Sequence, residues 1–246
     1  MSENHYEISG FLNINKPTGM SSFDVIRVLR KNIGRLKMGH AGTLDPLASG
    51  VLTVAIGKAT KLISSLPKEK EYKAEILLGK STTTDDREGE IVDQHDASAI
   101  SFDEVKALIQ NHFTGQIEQR PPIFSAIHID GKRLYKLARS DNAPQLEEIP
   151  LRTVEITQFT CSEFIPGSEA LLTCVIACST GTYIRSLARD IGKQLGVGGH
   201  LQSLERILSG GFRLEDSVQL EEVNSGNLGN YLRQKPSEII QSPNGQ

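Results

Sequence analysis

Gly39-His40-Ala41-Gly42-Thr43-Leu44-Asp45-Pro46-Leu47-Ala48-Ser49-Gly50 is the stretch that decides how the rest of the chain is understood. It sets one carboxylate, Asp45, in a glycine-punctuated segment, with a histidine upstream and a strand-like run, Val51 to Ile56, downstream. Pro46 biases Asp45 away from the α region and so constrains how its side chain is presented. Gly39, Gly42 and Gly50 permit backbone conformations and close approaches that other residues resist. Taken alone, Asp45-Pro46 reads first as a helix start, with Asp45 as N-cap and Pro46 at the first helical position. A carboxylate held out on a loop is the other reading, and the rest of the chain has to choose between them.

Composition narrows the class. At 246 residues the chain can bury a sizeable core, as one large domain or a domain with an appendage. Hydrophobic content of 38% and charged content of 23% describe an ordinary soluble protein. No apolar run approaches the roughly 20 residues that cross a bilayer. The start, Met1 to Glu7, lacks the basic and apolar segments of a signal peptide, so a cytoplasmic protein with no membrane partner is expected. The three cysteines, Cys161, Cys174 and Cys178, do not make a disulfide framework. Cys174 and Cys178 fall on one face of a strand with Leu172 and Ile176, which predicts buried thiols. No His/Cys cluster completes a zinc site, so no metal is expected.

The formal net charge is −3, weak grounds against a simple nucleic-acid-coating protein. The charge is uneven, however. Arg27, Arg30, Lys31, Arg35 and Lys37 precede the Asp45 loop, and Lys58, Lys61, Lys68, Lys70 and Lys73 follow it. A third basic segment holds Arg120, Lys132, Arg133, Lys136 and Arg139. A solvated face explains any one cluster, but two flanking one loop are better explained by a local polyanion footprint.

Periodicity predicts a strand over Gly10–Ile14, then a helix capped by Ser21-Ser22, with Val25, Ile26, Leu29 and Ile33 inward and Gly34 as its stop. A short helix is expected around Ala59–Leu66 and a strand over Tyr72–Leu78. Ser101 with Glu104 forms a capping box before Val105 and Ile109. An extended segment from Pro121 to Ile129 is expected to turn at Asp130-Gly131, with a brief helix over Leu134–Arg139. Strands follow over Thr153–Phe159 and Leu171–Ser179. A helix then starts near Tyr183, with Gly196 at its C-cap. Few tight βαβ intervals favour an α+β sheet protein over a doubly wound one.

Three further segments, taken in order with the Asp45 loop, carry a family resemblance. They are Gly79-Lys80-Ser81-Thr82-Thr83-Thr84-Asp85-Asp86-Arg87-Glu88-Gly89 after Tyr72, Pro121-Pro122-Ile123-Phe124-Ser125-Ala126 with Gly131-Lys132-Arg133-Leu134-Tyr135, and Cys178-Ser179-Thr180-Gly181-Thr182-Tyr183-Ile184-Arg185. Together the four motifs closely resemble the TruB family of tRNA pseudouridine synthases, over roughly residues 10–213. The resemblance implies a pseudouridine synthase fold, with a central mixed, mostly antiparallel sheet flanked by helices and loops. It implies a catalytic domain over 1–213 with an inserted RNA-contacting segment at about 80–150. Residues 214–246 then form a short tail, too short for a complete PUA-type domain.

The implied reaction isomerises uridine 55 in the T arm of tRNA to pseudouridine. Uracil leaves C1′ of its ribose, turns, and rejoins through C5, a change whose balance demands no cofactor. The resemblance makes Asp45 the nucleophile and Arg185 its charge partner, since a nearby cation keeps a desolvated carboxylate ionised. Whether Asp45 attacks the sugar or initiates glycal formation stays open. Tyr72 is implied to face the target base and His40 to stack near the flipped nucleotide, with Tyr183 and Leu204 lining the uracil pocket. Lys16, Arg27, Arg30, Lys61 and Arg133 are further expected RNA contacts, and a monomer is expected. His128 and Lys136 depart from the family's usual lysine and acidic residue. Two other readings remain: a non-catalytic tRNA-binding or folding protein, and a two-carboxylate glycosidase.

Overall fold

The structure, a computed structural model, describes residues 8–125, 127–129, 131–138 and 144–234. They fall into two compact units, residues 1–72 with 205–246 and residues 73–204.

In the first unit the strand Ser49–Ile56 is central. It pairs antiparallel with Gly10–Lys16 along its whole length and with Met38–His40 on its other side. Further along, Ser49 and Gly50 pair in parallel with Glu205 and Arg206. Val51 to Ile56 are fully buried on both faces, as a near-continuous apolar run should be. The strand period divides the core. Leu12, Ile14, Leu52, Val54 and Ile56 face one cluster, and Phe11, Val51 and Ala55 face another with Ala59, Leu66 and Phe212.

The first cluster is closed by the helix Ser22–Ile33, whose Val25, Ile26, Leu29 and Ile33 are buried as the spacing predicts. Its start is a reciprocal box: Ser21 Oγ accepts from Asp24 N–H at 3.2 Å, and Asp24 accepts from Ser21 N–H at 2.9 Å. Gly34, at φ +89°, ends it. The segment near Ala59 is helical but of the tighter 3-10 kind, over Gly57–Ser65.

In the second unit Gly115–Gln119, Arg152–Ile165 and Ala170–Cys178 pair antiparallel in that order. Cys174 and Cys178 are buried and in no disulfide, as the strand period predicts for their burial. The helix Phe102–His112 begins where Ser101 Oγ accepts from Glu104 N–H at 3.2 Å. The helix Ile184–Gln194 buries Ile184, Leu187, Ala188 and Ile191. The pairing is mixed and mostly antiparallel, and with these helices the fold is α+β.

The extended segment expected from Pro121 to Ile129 makes no strand over 121–125, and its end, His128–Ile129, pairs antiparallel with Lys132–Arg133. Pro121 and Pro122 have no N–H to give a ladder, and the carbonyls of Arg120 and Phe124 serve arginines instead. The strand Gly199–Ser209 had no sequence counterpart, because it opens directly from the glycine-rich turn after Leu195. Asp130 and Arg139 lie outside the described residues.

Candidate active site

Within the first unit, Asp45-Pro46-Leu47-Ala48 forms a turn closed by Ala48 N–H donating to the Asp45 carbonyl at 3.1 Å. Proline is favoured at the second position of such turns. The helix-start reading of Asp45 is therefore corrected. No helix follows, because Leu47 and Ala48 are buried and lead straight into the strand Ser49–Ile56. Asp45 itself is half-buried at the turn. Its neighbours are tied down on both sides. Leu44 N–H donates to Ser22 Oγ at 2.8 Å, and Gly19 N–H donates to the Pro46 carbonyl at 2.8 Å.

Beneath this loop lies Arg206, wholly buried. Its Nε donates to the Val51 carbonyl at 2.8 Å, Nη2 to Gly42 at 3.1 Å and Nη1 to Thr43 at 3.4 Å. One guanidinium thus joins the segment before Asp45 to the strand after it. Burying a cation costs several kcal/mol unless its donors are matched, and here main-chain carbonyls match them. Gly50 is required at the crossing: it has φ +98°, and a Cβ there would lie 2.3 Å from the Arg206 carbonyl oxygen.

His40 enters from the strand Met38–His40 and is half-buried. Burial first, and the Arg206 charge second, hold its imidazole below the ordinary value of 6.5, with the Gly42 backbone pulling the other way. Among the described residues its buried Nδ1 has no hydrogen-bond partner. Tyr72 is buried in the strand Lys70–Leu78. Lys16, expected at RNA, is fully buried, and its Nζ donates to the carbonyls of Pro17 and Met20 at 2.8 and 2.7 Å. It anchors the turn before the first helix rather than presenting a charge to a phosphate.

In the second unit Arg185 is buried in the first turn of Ile184–Gln194. It donates to the carbonyls of Thr84 and Phe124 at 3.1 and 3.0 Å, and its Nη1 lies 3.6 Å from Asp86 Oδ2. Asp86 is also buried; its Oδ1 accepts from Thr84 Oγ1 at 2.5 Å and from Glu88 N–H at 3.0 Å. One helical turn on, Arg189 donates to Asp85 at 2.8 Å and to the Arg120 carbonyl at 2.9 Å. Burial pushes the Asp85 carboxyl above its ordinary value, while Arg189 and then Arg185 pull it back. Tyr183 is fixed through its backbone: it donates N–H to Gln119 Oε1 at 2.8 Å and accepts from Gln119 Nε2 at 3.0 Å. Leu204 is buried near the middle of the strand Gly199–Ser209.

Comparison with known proteins decides what this loop chemistry belongs to. Residues 30–184 match the TruB family pseudouridylate synthase N-terminal domain, and 185–239 match the tRNA pseudouridylate synthase B C-terminal domain. The chain belongs to the TruB family. Its relatives include the tRNA pseudouridine synthase B of Trichormus variabilis, 45% identical over 218 residues, which cover 89% of this chain and 73% of the relative. That of Gloeobacter violaceus is 48% identical over 219 residues, 89% of this chain and 74% of the relative. Among solved structures, a chain of a Cbf5-Nop10-Gar1 complex superposes with a TM-score of 0.64 at 32% identity. The match covers 87% of this chain and 53% of that one, so this chain spans about half its length. TruB proteins are isomerases, and the sheet and loop described above are this family's frame.

The expected site residues divide by unit: His40, Asp45 and Tyr72 belong to the first, and Tyr183, Arg185 and Leu204 to the second. Arg27 and Lys61 are exposed, Arg27 already paired with Asp24. The Arg133 backbone lies in the short hairpin, and its side chain is outside what is described. Sequence reading missed Arg206, Gln119 and Arg189. A signal for Arg206 existed: in Leu204-Glu205-Arg206-Ile207-Leu208, strand alternation places the arginine in phase with Leu204 and Leu208. No group of three or more His, Cys, Asp or Glu among the described residues could hold a metal. No described helix is long and apolar enough to cross a membrane.

Proposed function

We propose that this protein converts uridine 55 in the T arm of tRNA to pseudouridine, with Asp45 as the nucleophile and no cofactor. The observation that carries the reading is the half-buried Asp45 carboxylate on a turn tied at Leu44, Pro46 and Ala48, in a chain of the pseudouridylate synthase family. A nucleophile that must attack and later leave is well served by a carboxylate on a fixed support. Asp45 bonds to C1′ as the N1–C1′ bond breaks with its electron pair going to uracil. The turned base rejoins C1′ through C5, displacing the carboxylate, and the C5 proton is lost to solvent while N1 takes one up. No oxidant or reductant enters this balance.

Arg185 is the charge partner of the aspartate, Tyr72 faces the base, and His40, Tyr183 and Leu204 line the place of the flipped nucleotide. Extruding the base costs a few kcal/mol, offset by stacking and phosphate contacts. Arg27, Arg30, Lys61 and Arg133 are contacts for the RNA, whose loop is read mainly by shape. Catalysis is assigned to residues 1–213, with 80–150 contacting RNA.

The test uses a T-arm transcript tritiated at C5 of its uridines. Cofactor-free release of tritium is expected, and Asp45→Asn should abolish release while RNA binding persists. Full activity of Asp45→Asn overturns the nucleophile assignment. RNA binding without tritium release in the wild type would favour a folding protein, and liberated uracil would favour a glycosidase.

A further inference from the structure

Arg30, Lys31, Arg35 and Lys37 line one open groove with Leu36, at the C-terminal end of the helix Ser22–Ile33. All four cations are exposed. Helix-dipole stabilisation, about 0.3–1 kcal/mol per charge, accounts for Arg30 and Lys31 in the last turn. It does not account for Arg35 and Lys37, which lie beyond Gly34 where the helix has ended. There the chain doubles back. Gly34 N–H donates to the Arg30 carbonyl at 3.1 Å and Leu36 N–H to the Gly34 carbonyl at 2.9 Å, bringing the second pair of charges beside the first. The helix's one acid, Asp24, is engaged by Arg27 and Ser21. Four like charges gathered this way repel one another until a polyanion joins them.

The groove is also aimed. The Lys37 carbonyl accepts from Gly57 N–H at 2.8 Å, and the next three residues are the strand Met38–His40. At about 3.3 Å per residue, roughly 10 Å separates Lys37 from His40 at the head of the Asp45 loop. We propose that Arg30, Lys31, Arg35 and Lys37 form a phosphate-binding groove for the RNA backbone flanking the flipped uridine. This rests on the function proposed above. With Leu36 the sole apolar lining, the groove has no platform for base stacking, so it holds backbone and reads no sequence.

The experiment measures equilibrium binding of a T-arm transcript across a salt series, together with steady-state tritium release, on the full chain. Each phosphate contact contributes about 0.7–0.9 to the slope of log K against log salt. Arg35→Gln/Lys37→Gln leaves the helix charges in place and should reduce that slope by about 1–2. KM should rise roughly tenfold at near-physiological salt while kcat holds. Adding Arg30→Gln and Lys31→Gln should reduce the slope further, whereas Lys106→Gln should not change it. Exposed substitutions of this kind move stability by about 0.5 kcal/mol or less, so a matching thermal midpoint certifies the fold. A slope and KM equal to the wild type in a tritium-releasing preparation overturns the groove alone. Absence of release in the wild type overturns the function reading instead, and the salt slope still judges the groove.

Discussion

Arg189 donates to Asp85 at 2.8 Å, and Arg185, one turn earlier on the same helix, faces Asp86 at 3.6 Å. Two consecutive acids are thus matched by two arginines spaced i, i+4. Neighbouring side chains on an extended chain point to opposite faces. Asp85 escapes that rule by adopting φ +61°, the one non-glycine residue with positive φ among those described. The kink costs about 1–2 kcal/mol, and the Arg189 pair helps offset it. The same guanidinium holds the Arg120 carbonyl, so the acidic loop and the Pro121 segment share one clamp.

Arg189→Met leaves Asp85 buried without its main cation. A loss of about 3–5 kcal/mol is expected in denaturant unfolding. Arg189→Met/Asp85→Asn should recover much of it, and no recovery would show that Asp85 is not the group left stranded. The pH course has a definite sign. Asp85 is raised in the folded state, so its contribution favours folding at low pH. That contribution is lost as pH rises from about 3.8 through the folded value, and the window should extend further upward in Arg189→Met.

Arg206→Met removes the donors that serve Gly42, Thr43 and Val51. Unsatisfied buried carbonyls cost about 1–3 kcal/mol each, so destabilisation of at least that size is expected. Well below the unfolding midpoint, tritium release should still fall by tenfold or more, because the proposed nucleophile, Asp45, would lose its alignment. A wild-type kcat in a destabilised variant would confine Arg206 to folding.

His40 gives a second pH signature, opposite in direction. Its folded pKa is depressed, so the unfolded chain binds more protons as pH falls below about 6.5. Stability should therefore decline from pH 6.5 downward through the folded value. His40→Gln should flatten that part of the profile, as read by urea midpoints at closely spaced pH.

Gly50→Ala and Gly42→Ala separate strain from collision. Both sites have positive φ, +98° and +84°. At Gly50 the new methyl meets the Arg206 backbone at 2.3 Å, whereas at Gly42 it meets the mobile end of Lys70 at 2.9 Å. Gly42→Ala should cost about 1–2 kcal/mol, and Gly50→Ala distinctly more. Equal losses would mean that the strand crossing at Arg206 relaxes freely.

What the sequence made legible was local. The Ser21 box, the apolar stripe from Val25 to Ile33 and the buried Cys174–Cys178 face each depend on neighbours a few residues away. Asp45 shows the limit: its Asp-Pro step alone favoured a helix start, the motifs around it favoured a loop, and the buried Leu47 and Ala48 show why no helix follows. Lys16 misled for the same reason, since its charge is visible in sequence but its burial is not. Arg206 and Gln119 act on partners 155 and 64 residues away, and although strand alternation turns Arg206 inward, no local pattern names those partners. The motifs named the chemistry, and long-range contacts supplied the scaffold that holds it.

Gln119 grips residue 183 by its main chain, much as an adjoining strand would. That part of the hold would be the same whatever side chain stood there. A fluorinated tyrosine at 183 would therefore keep both Gln119 bonds while its ring reports on its own surroundings.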